Sequence, residues 1–197
     1  MVRAVMVLLL CLLAGAAQSA PTPAERLVAA AYAQIGVTRV YDSSYRRIAF
    51  PGGDVPLDRG VCSDVVVRAY RGIGLDLQRL VHEDMRRHFS DYPHLWQLAA
   101  PDPNIDHRRV ANLAAFFALH GGKLPVTAAA DDYRPGDIVT WRLPGGLAHI
   151  GLIADRRIEG RPLVVHNIGA GAQLEDVLFA FPITGHYRYL PEMVRAQ

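Results

Sequence analysis

The sequence predicts an α+β domain in which N-terminal helices pack on a mostly antiparallel sheet. Three observations carry that expectation. The first half of the chain reads as helices with apolar residues at three- and four-residue spacing. The second half reads as short apolar runs separated by Gly and Pro, the pattern of strands. An apolar content of 51% over 197 residues is enough to bury one core.

The chain opens with a segment of another kind. Arg3 supplies a positive start, Val5 to Ala17 is uninterrupted and apolar, and Ala17-Gln18-Ser19 offers small residues for cleavage. This is the pattern of a secretory signal peptide over residues 1–20, and its apolar run is short for a membrane span. The mature chain, 21–197, is therefore expected as a single periplasmic or secreted domain with no stable membrane insertion.

Thr22 is placed to cap a helix over Ala24–Ile35, with Gly36 as its stop. Tyr41 to Gly60 is rich in Pro, Gly, Asp and Ser and reads as a long loop, of the kind that usually carries function. Helices follow over Cys62–Ile73, Leu77–Phe89 and Val110–His120, with an irregular Pro-containing stretch from Tyr92 to Arg109. Strands are predicted over Asp137–Arg142, Ala148–Ala154, Leu163–Asn167 and His186–Leu190.

Charge excludes one class of function. The formal net charge is +2, and the arginines are scattered in short pairs instead of forming a basic stripe, so no nucleic-acid partner is expected. Cysteine usage points towards another. Of the two cysteines, Cys11 lies in the predicted leader, which leaves Cys62 alone in the mature chain. A lone thiol in an oxidising compartment is buried, paired between chains, or used in chemistry.

Cys62, Val65, Val66, Ala69 and Ile73 fall on one helical face, so the thiol begins the buried stripe in the first turn. There the free N–H groups and helix dipole favour a thiolate; a small buried core cysteine is the alternative. Of eight histidines, His82, His88, His94, His107 and His120 read as solvated residues of loops and helix ends. His149 opens one strand and His166 closes the next, which would place them side by side in a hairpin. A base beside an orienting group is what activates a nucleophile. His166 and Asn167 point to opposite faces of their strand, so one of them can face His149; His166 is the expected orienter and Asn167 the alternative. A metal site built from Cys62, His149 and His166 is not expected, because no close ligand pair is present, and no cofactor is implied.

Arg134-Pro135-Gly136-Asp137-Ile138-Val139 followed by Ala148-His149-Ile150-Gly151-Leu152 resembles the "PGD … H-hydrophobic-G-hydrophobic" signature of NlpC-type cell-wall peptidases. Val61-Cys62-Ser63-Asp64 resembles the start of their nucleophile helix, and Val165-His166-Asn167 the strand bearing their third catalytic residue. Over Tyr32 to Tyr189 the chain is similar to the bacterial YijF-type family of unknown function within the same papain-like superfamily. That similarity rests on Pro51-Gly52-Gly53-Asp54-Val55-Pro56, Asp102-Pro103-Asn104-Ile105-Asp106-His107-Arg108-Arg109 and His166-Asn167-Ile168-Gly169. The resemblance implies a papain-like fold and a cysteine amidase or peptidase. Cys62 would be nucleophile, His149 base and His166 orienter, with peptidoglycan or another peptide as substrate. A non-catalytic wall- or partner-binding module that keeps the fold is the alternative. The tyrosine that such enzymes carry about a dozen residues before the cysteine has no counterpart at Ala49 or Phe50, leaving Tyr41 or Tyr45 to take the role.

The leader generates a direct test. N-terminal sequencing of the exported protein is expected to begin between Ser19 and Pro21, whereas an intact Met1 in membranes would mean a retained anchor.

Overall fold

The computed structural model describes residues 20–95 and 99–190, so the expected leader lies outside the described residues. Four helices, α1 (Pro23–Tyr32), α2 (Cys62–Gly72), α3 (Leu77–Arg87) and α4 (Val110–Leu119), pack on one face of a six-stranded sheet. Its strands are β3 (Lys123–Leu124), β4 (Ile138–Arg142), β5 (Ala148–Ile158), β6 (Arg161–His166), β7 (Gln173–Glu175) and β8 (Ile183–Tyr187). They lie in the order β3-β8-β4-β5-β6-β7, and every pairing is antiparallel. A separate two-residue parallel pair joins β1 (Val40–Tyr41) to β2 (Arg59–Gly60) and fastens the two ends of the long loop together. No described helix is long and apolar enough to cross a membrane.

Local sequence explains where the elements begin. Thr22 and Glu25 form a reciprocal capping box: the Glu25 N–H donates to the Thr22 hydroxyl, and the Thr22 N–H donates to the Glu25 carboxylate. Val65, Val66 and Ala69 of the predicted stripe are fully enclosed, but α2 is buried on every side from Cys62 to Tyr70, and Ile73 lies past its end. Side chains alternate along the strands. Ile138, Ile150, Leu152 and Val165 meet the helices, while Val139, Trp141, Ile153 and Val164 enclose a second core with Tyr133 and Leu178 on the far face.

The last strand differs from expectation: it runs over Ile183–Tyr187, not His186–Leu190. Thr184 and Gly185 interrupt the apolar pattern, but β8 must match the length of β4, its partner from Ile138 to Trp141. The Tyr187 ring folds back over Gly185, where any side chain would collide with it. Strand β5 also runs four residues past the expected end, because Arg157 and Ile158 pair with Pro162 and Arg161 across a tight hairpin. Strands β3 and β7 are too short to show a period of two.

One buried ion pair ties the irregular segments to α2. The Asp64 carboxylate accepts from Arg108 Nε at 2.9 Å and Nη2 at 3.0 Å, and from the Val61 N–H at 2.6 Å. Arg108 also donates to the carbonyls of Asp42 and Ser44, each at 3.0 Å, and its own carbonyl accepts from the Ser63 hydroxyl at 2.6 Å. Removing one partner of such a pair strands the other charge in the interior, at a cost of about 3–5 kcal/mol. Arg108→Ala is therefore expected to lower the unfolding free energy by about that amount in urea titrations. Arg108→Lys should recover only part of it, because an ammonium cannot reproduce the forked geometry.

Candidate active site

The clamp positions Cys62. Val61 and Ser63, its chain neighbours, are both fixed by the Asp64–Arg108 unit, so the first turn of α2 has little freedom to shift. The sulfur lies against the backbone N–H of Ile150, one residue after His149, and against the Ser63 N–H. The start of α2 thus meets the start of β5.

Strands β5 and β6 bring the two histidines together. Gly151 pairs directly with His166, and His149 stands two residues away on the same face. A Cβ at Gly151 would approach the Val164 side chain to 2.7 Å and His166 Cβ to 3.1 Å, so glycine is what lets the imidazole of His166 lie across β5. His149 Nε2 is 2.9 Å from His166 Nδ1, with the rings edge to face. His166 Nε2 in turn lies 2.8 Å from a carboxylate oxygen of Glu175 on β7. Asn167, the alternative orienter, is turned elsewhere: its amide donates to the Gly60 carbonyl at 3.0 Å and its oxygen accepts from the Gly169 N–H. Of the sequence candidates, His149 and His166 are in contact, Cys62 adjoins them through the β5 backbone, and Asn167 is a strut for the loop ahead of α2.

Burial sets the charge state. The thiol is 4% exposed and is pushed up to about 11, chiefly by burial, while the N–H groups of Ile150 and Ser63 pull the other way. This corrects the expectation of an accessible, low-pKa thiol: loss of water outweighs the helix terminus. His149 is pushed down to about 3 by burial and by its neighbour His166. Burial also lowers His166, against the pull of Glu175. At rest the thiol and the two imidazoles are all neutral.

A cavity of about 330 Å³ opens at Cys62, lined by Tyr41, Val61, Arg108, Arg109 and Ala148 among others. A second, of about 650 Å³, shares Val110, Ala111 and Ala148 with it and continues along the alanine face of α4 towards Thr140 and Arg142. Three arginines and no carboxylate line the two cavities.

Several participants were not singled out from sequence. Asp64 sits three residues after the helix cap at Val61 and accepts its N–H, but with valine at the cap the sequence carries no capping-box pattern there. Arg108 and Glu175 carry no local signal. Tyr41 lines the cleft as a phenol pushed up to about 12 by burial and by Cys62 and Asp64, whereas the Tyr45 hydroxyl donates to Asp102 and accepts from Asn104. His82 and His107 are buried instead of solvated: the turn Asp106–Arg108 carries His107 inward, where burial lowers it to about 4, and His82 faces Asp106.

Against known proteins, the model of the family described as "Domain of unknown function (DUF1287)" matches residues 28–189. The chain belongs to that family. It is 57% identical over 157 residues to "Uncharacterized protein YijF" of Escherichia coli strain K12, covering 79% of this chain and 77% of that one. Among solved structures, NlpC1 from Trichomonas vaginalis aligns with 87% of this chain at 18% identity and a TM-score of 0.48, and this chain spans 45% of that one.

The charge state can be read chemically. Alkylation by iodoacetamide requires the thiolate. With the thiol raised to about 11, the rate should keep climbing about tenfold per pH unit through pH 9 and beyond. A plateau below pH 7 would instead reveal a preformed thiolate–imidazolium pair.

Proposed function

We propose that this protein is an exported cysteine hydrolase of papain-like type that cleaves amide bonds in peptides, with peptidoglycan stem peptides as the expected substrate. The observation that carries the reading is the 2.9 Å contact between His149 Nε2 and His166 Nδ1, made where the β5 backbone meets the Cys62 sulfur. This contact occupies one nitrogen of His149 and leaves Nδ1 to act on the thiol.

The chemistry follows from a neutral resting pair. As Cys62 Sγ attacks the carbonyl carbon, its proton passes to His149 Nδ1, so charge is created only when the C–S bond forms. The carbonyl oxygen becomes an oxyanion near the Cys62 N–H and the Tyr41 hydroxyl, which stays protonated at its raised pKa. One such donor is worth about 3 kcal/mol of barrier. His149 returns the proton to the departing nitrogen as the C–N bond breaks, leaving a thioester. Water then adds to the thioester with His149 as base, the C–S bond breaks, and the thiol is regenerated.

A non-catalytic binding module is the second reading, and the deep burial of the thiol is the observation that favours it. Incubating the mature protein with defined muropeptides and following products by mass spectrometry separates the two. Cleavage is expected. Cys62→Ala and His149→Ala should each lower turnover by at least about 10³-fold, and His166→Ala by less, since nucleophile and base remain. Asn167→Ala should be milder than His166→Ala, because Asn167 holds Gly60 and not His149. Binding without cleavage, unaffected by any of the four, would establish the module.

A further inference from the structure

We propose that Glu175 is a positioning residue that fixes the tautomers of His166 and His149 and thereby leaves His149 Nδ1 unprotonated. The inference deepens the hydrolase reading and rests on it for its kinetic consequence, while its structural content stands on contact geometry and charge.

Both imidazoles are held neutral, so each carries a single N–H. Between His149 Nε2 and His166 Nδ1 there is room for one hydrogen, supplied by either ring. The two choices have opposite chemical outcomes. If His166 donates from Nδ1, His149 accepts on Nε2, its proton sits on Nδ1, and it cannot take one from the thiol. If His149 donates from Nε2, its Nδ1 carries the lone pair a base requires.

Glu175 decides between them. Its carboxylate is 2.8 Å from His166 Nε2, and an ionised carboxylate only accepts. The oxygen is not aligned for a hydrogen bond with Nε2, which has no hydrogen-bond partner among the described residues, so the preference is one of charge. The positive end of an N–H dipole at Nε2 is favoured beside the carboxylate over a lone pair there. His166 is therefore the Nε2–H tautomer, its Nδ1 accepts, and His149 must donate from Nε2. Strand geometry makes the chain possible. Glu175 pairs with Val164 and Gln173 with His166 across β6 and β7, while Gly151 pairs with His166 across β5 and β6. Glu175, His166 and His149 thus share one face of three consecutive strands. His166 is fully buried, while the Glu175 side chain is 44% exposed on the outermost strand. When His149 gains the thiol proton, the same carboxylate lies one ring away from the new positive charge.

The test uses the folded protein with ¹⁵N-labelled histidine, with Glu175→Ala and Glu175→Gln as variants. In the wild type, nitrogen shifts should report Nε2–H on both His166 and His149. Glu175→Ala should give mixed tautomers, whereas Glu175→Gln should keep the wild-type pattern because its amide oxygen sets a negative partial charge beside Nε2–H. On any substrate the wild type cleaves, Glu175→Ala should lower kcat about 10- to 100-fold with little change in KM, and Glu175→Gln should restore most of the loss. Unchanged tautomers in Glu175→Ala, or a glutamine variant no better than alanine, would overturn the proposal. If the wild type cleaves nothing, the hydrolase reading fails while the nitrogen shifts still decide the role of Glu175.

Discussion

Asp64 and Arg108 are buried together, and most of what surrounds the thiol is arranged by the hydrogen bonds they make. Desolvating a carboxylate and a guanidinium costs several kcal/mol for each ion, which their mutual attraction offsets only when the remaining donors and acceptors are satisfied. Here the carboxylate takes three N–H donors and the guanidinium reaches two carbonyls beyond it. Those extra partners belong to α2, to the loop after β1 and, through the Ser63 hydroxyl, to the turn before α4. Three segments far apart in sequence converge on one pair of side chains, and Cys62 lies between two residues held by it.

The electrostatics of the site follow from the same enclosure. A thiol in the first turn of a helix in water would lose its proton readily, but here the desolvation cost is the larger effect. The histidines respond in the opposite sense for the same reason, since burial disfavours the charged form whatever its sign. At rest the thiol and both imidazoles are uncharged, with the Glu175 carboxylate beside the outer ring.

Much of this was legible in the sequence where local periodicity and end signals report on structure. Thr22, the Cys62–Val65–Val66–Ala69 stripe and the apolar runs of β4, β5 and β6 each declare their element through neighbours a few residues away. The His149–His166 contact was also accessible, because a hairpin relates the end of one strand to the beginning of the other. What stayed hidden depends on long-range encounter. Arg108 meets Asp64 across 44 positions, and Asn167 meets Gly60 across 107. Glu175 lies in a three-residue strand whose role comes from its neighbours and not from its pattern. His107 reads as a loop residue because a single 3₁₀ turn, too short to show a period, takes it inside.

The burial of Cys62 also bears on how well the sulfur withstands oxidants. Peroxides and disulfides react with thiolates far faster than with thiols, and they must reach the sulfur to do so. A protonated sulfur that is 4% exposed meets neither condition. Among the described residues no second cysteine is present to resolve an oxidised Cys62. The enclosure that makes the thiol a reluctant acid is thus also its shelter from oxidants.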